Sequence, residues 1–325
     1  MTDNQKFYKD AATSDGVLRA IFVSHPEKIN KSDAFIFVLN RRVLLYDAGM
    51  AGCTDARDRL LRLRETINPN GRLRLTWVLS HFHIDHVAAA IEGIVPDERF
   101  ELEEVYLPPE SKLSEEYESN GDRKYRAPLD AAMKAHQKGA KIHNVGFLAG
   151  GALREHFELA GAKVSLYPPD RDWSDPHGID TIVNGYFHGN PGPGKVATCV
   201  VNASSVWMKI SYAGRKIVLT GDSMKREASI TDENFDNMLV AWSKKISSPD
   251  LLKWPHHGMA RDNAAEGVLS LNPSHILVST QIQTAEQVVA ARFPEKAGKI
   301  PFHNCALSDV LLTIGPNGIM TFYED

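Results

Sequence analysis

Cysteine is scarce in this chain: Cys53, Cys199 and Cys305 are odd in number and far apart, and none belongs to a Cys-x-x-Cys pair. That argues against a disulfide framework, speaks against thiolate metal ligation and fits a reducing compartment. An excess of either charge is also missing. With 41 acidic against 37 basic residues the net charge is -4, so no global field exists to hold a long duplex, although a locally basic site stays open. No stretch has the eighteen or so unbroken apolar residues of a membrane span, and the opening Met1-Thr2-Asp3-Asn4-Gln5-Lys6 lacks the apolar run of a secretory leader. The expectation is a soluble cytoplasmic protein without a membrane partner. Internal repeats and a dividing linker are lacking too, so residues 1–325 read as one domain with a variable region at about 105–195.

What the chain has is an ordinary globular composition, 43% hydrophobic and 24% charged, and 13 histidines. Five of those, His81, His83, His86, His256 and His257, fall in two tight clusters.

The order of elements frames the clusters. Ala34–Leu39 and Val43–Tyr46 are β-favouring runs across a short polar link and read as a hairpin running into Asp47-Ala48-Gly49. Thr54 reads as the cap of an amphipathic helix to about Ile67, stopped by Asn68-Pro69-Asn70-Gly71. The strand Leu73–Leu79 ends at Ser80-His81-Phe82-His83-Ile84-Asp85-His86, and Val87–Ile91 opens a helix. Ser111–Gly139 is polar and helix-prone, and Lys141–Val145 and Lys163–Tyr167 are short strands on either side of an expected helix at Ala152–Leu159. Asp170–Lys195 has no period and reads as a long surface loop, a candidate lid or substrate wall. Val206–Ser211 and Lys216–Thr220 form a second hairpin that delivers Gly221-Asp222, followed by a strand at Ile276–Thr280 and a last hairpin around Pro316-Asn317-Gly318. Strands interrupted by helices suggest an α/β layered sandwich, αββα, which periodicity alone does not separate from other α/β architectures.

Along an extended segment the first and third residues point the same way, so His81 and His83 can ligate one metal while Phe82 packs inward. Asp85 and His86 follow on the turn, placed for a second cation a few Å away. Three histidines and a carboxylate at this spacing have little packing value. Asp222, at the end of an apolar strand, can bridge two cations, and His256-His257 present imidazoles after Leu251-Leu252-Lys253-Trp254-Pro255.

The order Asp47, His81-x-His83-x-Asp85-His86, Asp222 and His256 resembles the motif series of the metallo-β-lactamase superfamily. Asn202–Val206, Leu219–Asp222, Leu252–Gly258 and the tail Thr313–Met320 are similar to the branch that includes the hydrolase domain of DNA-uptake competence proteins. The resemblance implies two β-sheets packed face to face with helices outside, a metal pair at one edge, and hydrolysis. It assigns His81 and His83 to a first metal, Asp85 and His86 to a second, and Asp222 to the bridge. His256 becomes the final ligand, preferred to His257 because His256 and Gly258 meet the His-x-Gly spacing. Asp47 orients a ligand histidine and fixes its tautomer. Where many members carry a third histidine this chain has Asn202, so Asn202, a water or His188 completes the first metal.

Nitrogen and carboxylate ligands favour one or two zinc ions, with manganese or iron in reserve. Cations sharing Asp222 would share a water activated to hydroxide, leaving a nearby acid to protonate the leaving group; His257 is the candidate and His303 a weaker one. Lys225, Arg226, Lys253 and Arg261 lie near the ligands in sequence and could hold a phosphate, while Trp173, Tyr186 and Phe187 could stack on a base. The leading expectation is a phosphodiester of small size, a nucleotide or short strand. The alternatives are a carbonyl hydrolase acting on a lactone, ester, amide or β-lactam, and a non-hydrolytic iron redox or metal-binding module.

Overall fold

A computed structural model describes residues 3–28, 32–108, 126–145, 155–168, 202, 205–223, 246, 248–258, 265–281 and 285–324. Within them lie β1 (Leu18–Phe22), β2 (Ala34–Leu39), β3 (Arg42–Asp47), β4 (Leu73–Val78), β5 (Phe100–Leu107), β6 (Lys141–Asn144), β7 (Glu155–Leu159) and β8 (Ala162–Tyr167). They continue with β9 (Trp207–Tyr212), β10 (Arg215–Leu219), β11 (Leu251–Lys253), β12 (His275–Val278), β13 (Phe302–Asn304), β14 (Val310–Ile314) and β15 (Met320–Glu324). The helices are α1 (Asp3–Asp10), α2 (Asp55–Ile67), α3 (Ile84–Ala89), α4 (Arg126–Gln137), α5 (Ala265–Ser270) and α6 (Ala285–Arg292).

One sheet runs β15-β14-β1-β2-β3-β4-β5-β6 and the other β13-β12-β11-β10-β9-β8-β7. In β2 and β3 nearly every residue is buried, because both faces are covered. Phe35, Phe37, Leu44 and Tyr46 point to the second sheet, against Val164, Met208, Ile210 and Leu219. Their neighbours Ile36, Val38, Val43 and Leu45 point outward to Leu60 and Leu63 of α2, Val87 of α3 and Ala131 of α4. Val268, Leu269 and Val289 of α5 and α6 are buried outside the inter-sheet core. The result is a four-layer αββα sandwich, the architecture the resemblance implies. Among the described residues no helix is long and apolar enough to cross a membrane.

Both early hairpins and the last one form where the sequence predicts them: β2 with β3, β9 with β10 and β14 with β15. The expected helix at 152–159 is a strand from Glu155 onward, paired antiparallel with β8 at Phe157↔Val164. Polar and apolar residues alternate there, and Ala160 (φ 49) with Gly161 (φ 105) closes a two-residue turn, so cross-strand pairing outweighs the helix propensity of Glu and Leu. Thr54 precedes α2 without capping a backbone N–H; its Oγ1 donates to Asp58 Oδ2 at 2.8 Å. The helix after the histidine motif starts earlier than predicted, at Ile84, so Asp85 and His86 occupy its first turn before a π-helical stretch at Ala90–Ile94. The predicted loop at 170–195, with Trp173, Tyr186, Phe187 and His188, lies outside the described residues, as do Lys225, Arg226 and Arg261.

Candidate metal centre

Parallel pairing of β3 with β4 and of β10 with β11 brings the carboxyl ends of each pair to one edge of its sheet. Asp47 ends β3, Ser80–His86 follow β4, Gly221-Asp222 follow β10 and Pro255–His257 follow β11. One backbone bond ties the sheets here, Val206 N–H donating to Ser80 O at 2.7 Å, and a second joins neighbouring loops of the second sheet, His256 N–H donating to Gly221 O at 3.2 Å. Gly221 has φ 56, and a Cβ on it would lie 2.9 Å from the Cβ atoms of both Ser80 and Ser205. The loops therefore cross at glycine contact distance, and Ser205 Oγ accepts the Asp222 N–H at 3.1 Å. After β11 the backbone of His256, His257 and Gly258 is left-handed at φ 49, 58 and 92, a strained run held by its surroundings that turns both imidazoles back to the edge.

Four imidazoles converge on one carboxylate oxygen. From Asp222 Oδ2 the distances are 3.2 Å to His86 Nε2, 3.5 Å to His257 Nε2, 3.7 Å to His256 Nε2 and 4.0 Å to His81 Nε2. His83 joins through Nδ1, 3.1 Å from His81 Nε2, and Asp85 through Oδ2, 3.5 Å from His257 Nε2. Asp222, His81, His86 and His257 are fully buried, whereas Asp85 keeps 27% and His256 14% of its side-chain surface. Asn202 is buried as well.

Behind this group Asp47, itself at φ 56, organises the imidazoles. Its Oδ2 meets His86 Nδ1 at 2.8 Å and accepts Ser80 Oγ at 2.8 Å, while its Oδ1 accepts the Ser80 N–H at 2.8 Å. Ser80 Oγ in turn meets His81 Nδ1 at 2.8 Å. One carboxylate thus orients His86 directly and His81 through a hydroxyl, leaving the Nε2 atoms of both rings toward Asp222.

Charge in the site divides by partner. Burial lowers His83 to about 4 and holds His81 well below the usual imidazole value, reinforced for His81 by neighbouring His86. Burial also opposes charge on His86 and His257, but carboxylates on both ring nitrogens outweigh it, raising His86 well above its ordinary value and His257 to about 10. Asp222 stays well below the carboxylate range despite its burial because His257, His86 and His256 surround it.

Sequence reasoning missed Asp33. Its Oδ1 lies 3.2 Å from His257 Nδ1 and accepts Ser279 Oγ at 2.5 Å, and its Oδ2 pairs with Lys253 Nζ at 2.5 Å. Asp33, His86, Asp222 and His257 each offer a ligand atom within 4.8 Å of the others. The available signal was a carboxylate directly before the apolar run of β2. Two expectations are corrected. Lys253 is 0% exposed and neutralises Asp33, so it cannot reach out to a substrate phosphate. His303 is no acid at the centre: on β13 its ring stacks on Phe322 at 3.9 Å and its Nε2 meets His275 Nδ1 at 3.1 Å.

The donor set fits a divalent cation. Asp222 Oδ1 is buried without a hydrogen-bond partner among the described residues, an expensive state for a carboxylate oxygen that a cation relieves. The imidazole and carboxylate donors suit zinc-like ions. This buried His/Asp cluster, at the strand ends of an αββα sandwich, suits divalent metal binding.

No family model and no curated protein matches the chain. Among solved structures it is similar to the metallo-β-lactamase fold protein YhfI from Bacillus subtilis, at 10% identity and a TM-score of 0.47, covering 94% of this chain and 99% of that one. It is also similar to a diphosphatase from the PhnP family, at 13% identity and TM-score 0.45 over 94% and 98% of the two chains. A third likeness is to the short form of human tRNase Z, at 13% identity and TM-score 0.40, covering 79% of this chain and 91% of that one.

Proposed function

We propose a binuclear zinc hydrolase that cleaves a small phosphodiester in the cytoplasm. The observation that carries the metal centre is the approach of four imidazole nitrogens to within 4.0 Å of Asp222 Oδ2. His81 and His83 would hold one cation and Asp85 and His86 the other, with Asp222 shared between them and His256 completing the set. Divalent cations bound there supply a hydroxide nucleophile at neutral pH and neutralise charge developing on the attacked group.

The chain's own residues do the rest. Asp47 holds the His86 proton at Nδ1, so that Nε2 presents its lone pair. His257, fixed by Asp33 at Nδ1, carries a proton at Nε2 for the leaving oxygen. A second reading exchanges His256 and His257, since His257 is the buried one in the tight group with Asp33, His86 and Asp222. Metal content separates the two: the ligand's alanine variant loses a cation, and the acid's variant keeps both but loses turnover.

The similarity of Asn202–Val206, Leu219–Asp222 and Leu252–Gly258 to the competence branch supports a phosphodiester substrate. The net charge of -4 favours a nucleotide or short strand over a long duplex. Bis(p-nitrophenyl) phosphate, single-stranded oligonucleotides, cyclic dinucleotides, a lactone and nitrocefin, each assayed with zinc and with manganese, test it. Turnover of at least one phosphodiester is expected. Turnover of the lactone or nitrocefin with none of the phosphodiesters rejects the proposal in favour of carbonyl hydrolysis.

A further inference from the structure

A second set of metal-ligating side chains lies near the histidine-rich centre but shares no residue with it. His25 follows β1, Cys53 lies in the loop after β3, and Asp55 is the first residue of α2. His25 Nδ1 stands 3.1 Å from Asp55 Oδ2, and one ligand atom from each of the three residues lies within 4.8 Å of the other two. His25 is only 3% exposed, and its Nε2 is buried with no hydrogen-bond partner among the described residues.

The surrounding backbone is shaped for this approach. Gly49 lets the ring pack on the main chain: a Cβ there would come 3.0 Å from His25 Cε1 and 2.8 Å from Ser32 Oγ. Gly52, at φ 77, turns the chain so that Cys53 N–H donates to Met50 O at 3.1 Å. Burial and a histidine neighbour alone would account for a His25–Asp55 pair, but not for a thiol brought in beside it by a tight turn.

We propose that His25, Cys53 and Asp55 form a second zinc site, its fourth position left to water, which fastens the β3–α2 loop to the end of β1. Imidazole nitrogen, thiolate and carboxylate oxygen are the three donor types that zinc accepts, at about 2.0–2.3 Å from the ion. Donors around a tetrahedral ion at those radii are ~3.3–3.8 Å apart, so the set must close by about 1 Å. Cys53 and Asp55 are partly exposed and can rotate that far. The proposal is independent of the hydrolase reading, because none of the proposed catalytic ligands is a thiol.

Cobalt(II) titration of the full chain tests it, since a thiolate ligand produces a near-ultraviolet charge-transfer band that imidazoles and carboxylates do not. The band is expected to reach the intensity of one thiolate-bound cobalt per chain once all sites are filled, to vanish in Cys53→Ser and to weaken at least tenfold in cobalt affinity in His25→Gln. Elemental analysis should find one zinc fewer per chain in Cys53→Ser than in the unaltered protein. Alkylation of the unaltered protein, followed by mass spectrometry, gives a readout that needs no variant: zinc should slow Cys53 labelling at least tenfold. No band at saturating cobalt, a band that survives in Cys53→Ser, or labelling of Cys53 unchanged by zinc overturns the site.

Discussion

At the scale of single residues, the centre depends on groups that touch no substrate. Asp47 is 0% exposed and satisfies His86, Ser80 Oγ and Ser80 N–H at once. Asp47→Asn is expected to weaken metal affinity by about 10–100-fold, because the amide can donate to His86 Nδ1 and select the wrong tautomer; competitive chelator titration measures it. Asp222→Asn should leave the fold intact by circular dichroism while abolishing most turnover, since it removes charge from the proposed metal bridge and little from the core. Retention of near-normal turnover in folded, metal-loaded protein refutes the assignment. Lys253 and Asp33 form a fully buried pair. Truncating Lys253 to Ala leaves the buried Asp33 carboxylate with His257 as its remaining counter-charge and should cost up to about 3–5 kcal/mol in urea unfolding.

Asp97 provides the pH dependence. Arg99, on both carboxylate oxygens, and Arg57 hold its carboxyl well below the ordinary value of 3.8. A depressed carboxylate stabilises the fold above its unfolded value, and that contribution disappears as pH falls below about 4 toward the folded value. The stability difference between the wild-type protein and Asp97→Asn, up to about 1 kcal/mol at pH 7 for a partly exposed pair, should shrink at pH 3 in denaturant titrations.

At the scale of elements, strand ends and the turns after them place the ligands. Gly221 is the point where the loop after β10 passes between Ser80 and Ser205. A methyl group there would meet two Cβ atoms at 2.9 Å in a left-handed backbone, so Gly221→Ala should destabilise by about 1–3 kcal/mol and displace Asp222, lowering metal content as well. Thermal melting and elemental analysis read both effects. The histidine motif was legible as strand, loop and helix because its residues switch from a buried run to polar donors within one turn. The boundary was less legible: α3 begins at Ile84 rather than after His86, so Asp85 and His86 project from a helix. Glu155–Leu159 was misread because five residues carry too little periodicity to oppose helix propensity, and the partner strand β8 decides the matter.

At the scale of the whole molecule, two buried sheets meet with the loops of the candidate centre along one edge, so a cation bound there would be linked to global stability. A cation that binds only the folded chain adds about 2.7 kcal/mol at a free concentration one hundred times its Kd. Zinc should therefore raise the melting temperature of chelator-treated protein, and His83→Ala should reduce the rise. A melting curve insensitive to zinc, with activity intact, contradicts the centre.

The sequence by itself determined the hairpins and the donors around His81 and Asp222, because apolar period and ligand spacing are local properties of a chain; the αββα layering followed from the family resemblance, since periodicity alone does not separate it from other α/β architectures. Tertiary structure decided what depends on residues far apart in sequence. Lys253 turns inward because Asp33, on the other sheet, supplies its counter-charge. His303 became part of an aromatic stack because β15 places Phe322 beside it. The absence of a Cys-x-x-Cys pair spoke against thiolate ligation, yet folding sets Cys53 beside His25 and Asp55, which no spacing along the chain records.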